Sequence, residues 1–211
     1  MSSELRIFSE LTKFVLVTKA FKENLLQHSF EQREGFIVEF RSSLRAQLLF
    51  VQNELAGEYG NKITSFILFP IISNIDEKCK LILNEAQYKF KWQDLQVEFF
   101  QRSDGGEYVF EILDEILSNK IYPKLCYEVL LIVLQGAFLG KYYQNPNHIE
   151  RQKYITSLKE ILSDVNNKVS APYLPEPRVR FGQKNNRKVK TTFAGIIIAS
   201  VFVPFFTYLI S

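Results

Sequence analysis

The sequence predicts an all-α protein: a helical body at residues 1–168, then a linker and one C-terminal transmembrane helix. Three observations support this prediction. Apolar residues recur every three or four positions through the body, and the alternation typical of strands is rare. Residues 191–210 carry no charged side chain, and a helix of that length rises about 30 Å, the thickness of a bilayer's hydrocarbon core. Residues 169–190 contain three prolines and no helical period, which predicts an extended linker.

The sequence of the first half of the body predicts three long helices. Apolar side chains at helical spacing cover residues 5–25 and 32–55, and the glycines in AGEYGN after the second run are typical of a helix end. A third helix is predicted at residues 63–79, where the unusually apolar string ITSFILFPIIS indicates burial. Pro70 lies inside this string and predicts a kink or a restart of the helix, because proline lacks a backbone N–H group.

The second half predicts further helical segments. The short amphipathic string WQDLQVEFFQR precedes a helix that ends near residue 119, and Asp104 and Glu107 have the spacing of a capping box at its start. The next helix has Pro123 near its first turn and is expected to continue through GAFLGKYY to an Asn-Pro stop signal. A last amphipathic helix covers residues 149–167. The body is therefore expected to contain about seven or eight helices around one core.

The charges are distributed unevenly along the chain. Residues 1–168 carry 20 Lys and Arg against 22 Asp and Glu, whereas residues 169–190 carry six against one. The basic cluster directly precedes the apolar run, so the positive-inside rule predicts a cytoplasmic body, and a diffuse nucleic-acid surface is not expected. This juxtamembrane cluster comprises Arg178, Arg180, Lys184, Arg187, Lys188 and Lys190.

The apolar run itself has an alternative interpretation as a buried core helix. Such helices usually keep their polar residues on one face, and here they are scattered around the run, which favours a membrane anchor. Its small residues Ala194, Gly195 and Ala199 form the candidate face against which a partner's transmembrane helix would pack.

The body offers no recognisable catalytic, metal or cofactor site. GAFLGKYY differs from a phosphate-binding loop, since only three residues separate its glycines, Tyr142 follows Lys141, and no strand precedes it. The adjacent carboxylates Asp76 and Glu77 would point about 100° apart on a helix, so capping or a surface contact is the better interpretation. The histidines lack metal-site spacing, and the two cysteines are interpreted as buried thiols. We therefore predict neither an enzyme nor a cofactor.

Two interpretations of GAFLGKYY stay open. Gly136 and Gly140 could allow a neighbouring helix to approach closely, or the segment could be a helix end or loop that binds a partner. A Lys141→Glu change distinguishes them. It should weaken the binding of a partner without loss of helicity only if the segment binds a partner.

Three strings stand in a specific order along the chain: FPIISNIDEK, KWQDLQVEFFQRSDGGEYVFEIL and YEVLLIVLQGAFLGKYY, with the apolar tail after them. In this order they resemble the DotU/TssL family, the inner-membrane component of type VI secretion systems, over about residues 33–165 and the tail. The family typically has Gly-Phe-Glu-Gly-Lys/Arg-Tyr, and here Ala137 and Leu139 replace the first glycine and the acid. The candidate interaction residues from these motifs are Asp76, Glu77, Trp92, Gly105, Gly106, Glu107, Glu128, Gly140, Lys141 and Tyr142.

The resemblance implies a fold and a set of partners. The body would form two packed helical sub-bundles on the cytoplasmic side of a bacterial inner membrane, with the C-terminus in the periplasm. It would act as a non-enzymatic scaffold, with a TssM/IcmF-like protein, baseplate components and further copies of itself as partners. The alternative function is a tail-anchored helical adaptor that binds soluble partners outside any secretion machine.

Overall fold

A computed structural model describes residues 3–136 and 138–168, and every regular element in these ranges is a helix. The predicted all-α class is thus confirmed for the body, whereas the linker at 169–190 and the anchor at 191–210 lie outside the described residues. Within these described ranges, seven α-helices and one turn of 3-10 helix, Gly140–Tyr142, follow one another. The α-helices are α1 (Ser3–Gln27), α2 (Arg33–Tyr59), α3 (Asn61–Glu85), α4 (Leu95–Phe100), α5 (Gly105–Asn119), α6 (Lys124–Gln135) and α7 (Ile149–Lys168).

Helix α3 is the centre of the body. It contacts α1, α2, α4, α5 and α6, and every residue from 66 to 76 is buried. A helix that is apolar around its whole circumference needs neighbours on all sides, so its composition and its position agree. The helix runs without interruption through the buried Pro70, so of the two predicted outcomes the restart is excluded and the kink stays a prediction.

Two cysteines lie in this core as free thiols, as the sequence predicts. Cys79 on α3 and Cys126 on α6 are fully buried. Burial raises the pKa of the Cys126 thiol to about 12 and that of Cys79 well above its ordinary value, because an apolar surrounding disfavours the thiolate. Both side chains therefore pack as small hydrophobic groups.

Helix α6 ends earlier than the sequence predicts. It stops at Gln135, and residues 138–143 form a loop that includes the 3-10 turn rather than a continuation of the helix. Among the described residues, the stretch Lys124–Tyr142 is long and apolar enough to cross a membrane by length and composition alone. About half of it, 53%, is buried in the body, where α6 contacts α1, α3 and α7. Packing in the core accounts for its apolar character.

The predicted capping box at the start of α5 is wrong. Asp104 does occupy the N-cap position, but its side chain makes no capping hydrogen bond. It instead accepts two hydrogen bonds from the guanidinium of Arg102, at 2.5 and 2.9 Å. The competing ion pair draws the carboxylate away from the free N–H groups of the helix.

Candidate functional site

The side chain of Asp76 holds the start of α4. Asp76 is 1% exposed on α3, and its carboxylate accepts hydrogen bonds from the indole Nε1 of Trp92 at 2.8 Å and from the backbone N–H groups of Leu95 and Gln96 at 3.0 and 2.9 Å. The first N–H groups of a helix have no partner within the helix, so this carboxylate on α3 caps α4. Burial raises the pKa of Asp76 to about 6, and the three donors oppose that rise.

Glu77, the next residue, holds a different segment. Its two carboxylate oxygens accept hydrogen bonds from the backbone N–H groups of Leu139 and Gly140, at 2.9 and 2.8 Å. The side chains of consecutive helical residues point about 100° apart, so the two carboxylates accept hydrogen bonds from two different backbone segments. Of the two roles predicted for the pair, capping or a surface contact, these hydrogen bonds show capping. The bonds to Glu77 are one reason why α6 does not continue to Leu139 and Gly140.

Three glycines allow the backbone segments to meet. Gly140 has a φ of +48°, in the left-handed region, and a Cβ added there would lie 2.5 Å from the carbonyl oxygen of Gly106. A Cβ on Gly106 would lie 3.3 Å from the backbone of Gly140. At Gly105 a Cβ would lie 2.2 Å from Oε1 of Gln96. The start of α5 therefore touches the loop on one side and α4 on the other.

Tyr142 closes the loop onto α5 and α7. Its ring meets Phe110 edge-on at 4.8 Å between centroids and stacks on His148 at 4.9 Å, and its hydroxyl donates to Glu150 at 2.8 Å. Burial and the nearby Glu150 carboxylate raise the pKa of Tyr142 to about 12. The phenol therefore stays protonated and keeps donating. This arrangement joins seven of the ten motif residues, and we call them the motif cluster: Asp76, Glu77, Trp92, Gly105, Gly106, Gly140 and Tyr142.

Arg151 completes this region and is absent from the sequence-based prediction. It is 7% exposed on α7, and its guanidinium donates to the carbonyl oxygens of Leu134, at 2.5 Å, and Phe138, at 3.2 Å. It thus satisfies the carbonyl groups left free where α6 ends. The helical period offers a signal for this role, since Arg151 stands three, four and seven positions before Tyr154, Ile155 and Leu158 on the inward face of α7.

The remaining motif residues stand apart from the cluster's hydrogen bonds. Glu128 pairs with Lys124 one turn away on α6 at 3.0 Å, and Glu107 is exposed in the first turn of α5. Lys141 is exposed, with its ammonium 5.0 Å from the ring centroid of Phe110. The basic and small residues predicted at 178–199 lie outside the described residues.

The carboxylates of the motif cluster act as hydrogen-bond acceptors for backbone N–H groups and the indole of Trp92. Every oxygen of the two carboxylates accepts at least one hydrogen bond from a backbone or indole N–H group. Within residues 3–136 and 138–168, no three His, Cys, Asp or Glu side chains form a group that could hold a metal ion. Gly140 permits a close approach to the start of α5, which agrees with the packing interpretation of GAFLGKYY, and the binding of a partner at this segment stays a prediction.

Comparisons with known proteins agree with this description. A model of the family "Type VI secretion system protein DotU" matches residues 23–211. The solved structure of DotU from Francisella novicida is 31% identical, with a TM-score of 0.68 over 75% of this chain and 99% of that one.

A second solved structure, SciP/TssL of the type VI secretion system of enteroaggregative Escherichia coli 042, shares the fold. It is 17% identical, with a TM-score of 0.52 over 83% of this chain and 97% of that one. None of the curated proteins compared matches the chain. Because the family model covers most of the sequence, this chain belongs to the DotU family of type VI secretion system proteins.

Proposed function

We propose that this protein is a non-enzymatic scaffold subunit of a type VI secretion system, held at the bacterial inner membrane by its C-terminal tail. Membership of the DotU family supports a role in that system, and the family is not a known enzyme family. The observation that carries the scaffold role is the use of both motif carboxylates. They hold α4 and the loop after α6 in place, so these motif residues stabilise the folded backbone.

The fixed loop presents side chains that partners could contact. Lys141 is exposed, and Tyr143 is 55% exposed beside it, while the backbone between Leu139 and Tyr142 is held by Glu77 and the 3-10 turn. A rigid loop loses little conformational entropy on binding, which favours specific contacts with a partner. We assign this surface, Lys141 and Tyr143, to contact with another component of the secretion system.

The partners proposed are those that the family resemblance implies. In the membrane, a TssM/IcmF-like protein would pack on the tail, with Ala194, Gly195 and Ala199 as the candidate face. On the cytoplasmic side, the body would meet baseplate components and further copies of itself. The basic cluster at 178–190 would lie against anionic lipid headgroups, where each cation contributes on the order of 1 kcal/mol.

Co-purification of the full chain from native membranes in mild detergent tests this function. We expect a large multi-span TssM/IcmF-like protein and baseplate components among the proteins recovered. The Lys141→Glu variant should recover less of the partner that contacts the loop, with unchanged helicity. Lys159→Glu, an exposed lysine on α7, is the matched control. Recovery of only soluble proteins unrelated to secretion would contradict the proposal and favour the adaptor.

A further inference from the structure

A cavity of about 550 Å³ lies between the end of α3 and the segment that leads to α4. Pockets for small ligands usually measure about 300–1,000 Å³, so this cavity is large enough to receive a side chain of a bound peptide. Its aromatic wall consists of Tyr88, Phe90 and Trp92. Lys80, Lys89 and the side-chain amides of α3 and its C-terminal turn supply the polar groups.

The wall is formed by alternation along the chain. Gln87, with a φ of +51°, turns the chain as α3 ends, and the N–H group of Tyr88 then donates to the carbonyl oxygen of Leu83 at 3.0 Å. After this turn the aromatic residues are half-buried or buried, whereas the intervening Lys89 and Lys91 are exposed. A short segment therefore places aromatic rings against the body and ammonium groups in solvent.

The charges around the cavity are mainly positive. No carboxylate lines it, and of the two lysines that do, Lys80 pairs with Asp94 at 2.6 Å. The guanidinium of Arg33 lies 5.9 Å from the ring centroid of Tyr88 and adds a further cation. On the same ring, Phe30 packs edge-on at 5.0 Å although it is 67% exposed. An exposed aromatic ring beside cations suits a ligand with both apolar and acidic groups.

We propose that this cavity binds an acidic peptide segment of a partner protein, which inserts an apolar side chain against Tyr88 and Phe90 and sets carboxylates beside Lys89 and Arg33. Charge complementarity favours an acidic segment, and the aromatic wall favours a peptide over a lipid headgroup, which needs only cations on an open surface. The site is separate from the loop at Lys141. It does not depend on the proposed secretion role, because any acidic partner could fill it.

Selection of displayed random peptides on the full chain, held in nanodiscs of neutral lipid, tests the proposal. We expect enriched peptides that combine Asp or Glu with an apolar residue. A synthetic peptide of the enriched sequence should bind Lys89→Glu about tenfold more weakly than the wild type, since the change turns an attraction into a repulsion. It should bind Lys159→Glu, an exposed control on α7, as the wild type does. Enrichment of no peptide, or of peptides without acids, would overturn the proposal, as would equal affinity for Lys89→Glu.

The lipid alternative is separated by a second measurement with the same peptide. The peptide should still bind in discs that contain phosphatidylglycerol, weakened only by the general repulsion between an acidic peptide and an anionic bilayer, because a peptide-specific cavity stays open beside that bilayer. If the anionic discs abolish peptide binding to the wild type, lipid headgroups occupy the cavity and the peptide proposal is wrong. This outcome leaves the co-purification test of the secretion role unaffected.

Discussion

Replacing Glu77 with alanine should release the loop that follows α6 while leaving the helices in place. The wild-type carboxylate accepts two backbone hydrogen bonds, from Leu139 and Gly140. A hydrogen bond to a charged group contributes about 1.5–3 kcal/mol, and the half-buried position of Glu77 favours the lower end of that range. The two bonds together should therefore cost about 3 kcal/mol of unfolding free energy when they are lost.

Thermal unfolding of the full chain in mild detergent measures this loss. For a domain of this size 1 kcal/mol corresponds to about 2–4 °C, so the midpoint should fall by about 9 °C. The chain contains one tryptophan, Trp92, and its fluorescence provides a second probe beside circular dichroism. Glu77→Gln keeps one neutral acceptor oxygen and should lose about half as much stability.

Glu85→Ala is the matched control on the same helix. Glu85 pairs with Lys22 at 2.8 Å, but both side chains are more than half exposed, at 59% and 52%. Such surface pairs contribute about 0–1 kcal/mol, so the midpoint should move by only about 2 °C. Equal shifts for Glu77→Ala and Glu85→Ala would refute the reasoning, because they would mean that the two backbone bonds do not hold the loop.

Two further predictions concern the neighbouring residues. The pKa of Asp76 rises from 3.8 to about 6 on folding, so between these values the folded state binds more protons than the unfolded state. The protonation of Asp76 therefore stabilises the fold fully below pH 4, and this stabilisation is lost as the pH rises through 6. Urea unfolding at pH 4 to 7 measures the free energy of unfolding of the wild type and of Asp76→Asn. As the pH rises, the value for the wild type minus that for the variant should fall by up to about 3 kcal/mol and then level off. A difference that stays constant with pH would contradict this prediction. Gly140→Ala should destabilise by about 2–4 kcal/mol, because alanine is strained at positive φ and its Cβ would meet the carbonyl oxygen of Gly106. Gly57→Ala on α2, where a Cβ meets nothing within 4 Å, should be neutral or stabilising in the same thermal assay.

The long helices were predictable because their burial repeats with the helical period. The apolar string around Pro70 predicts a helix buried on all sides, and α3 has this environment over residues 66–76. The divergence of adjacent helical positions predicted capping or a surface contact for Asp76 and Glu77, and the hydrogen bonds of the pair select capping. The family motifs pointed to the region that forms the motif cluster, although they did not reveal which backbone each side chain holds.

The end of α6 was not predictable from local pattern. The apolar residues continue past Gln135 at a spacing that a helix would also show, and the groups that end the helix come from elsewhere in the chain. Glu77 precedes the loop by 62 positions, and Arg151 reaches back from α7. The failed capping box has a local cause instead, since Arg102, two residues before Asp104, competes for the Asp104 carboxylate. Local sequence preferences favour a helix past Gln135, and contacts with side chains that are distant in sequence determine where α6 ends.

The position of two neighbouring acids on one central helix limits the insertions and deletions that α3 can accept. One residue added or removed between Pro70 and Asp76 would rotate both carboxylates by about 100° about the helix axis relative to the residues before them. Asp76 would turn away from α4, and Glu77 from the loop, at the same time. The length of this stretch is therefore fixed more strictly than its hydrophobic composition, in which one aliphatic side chain can replace another of similar volume.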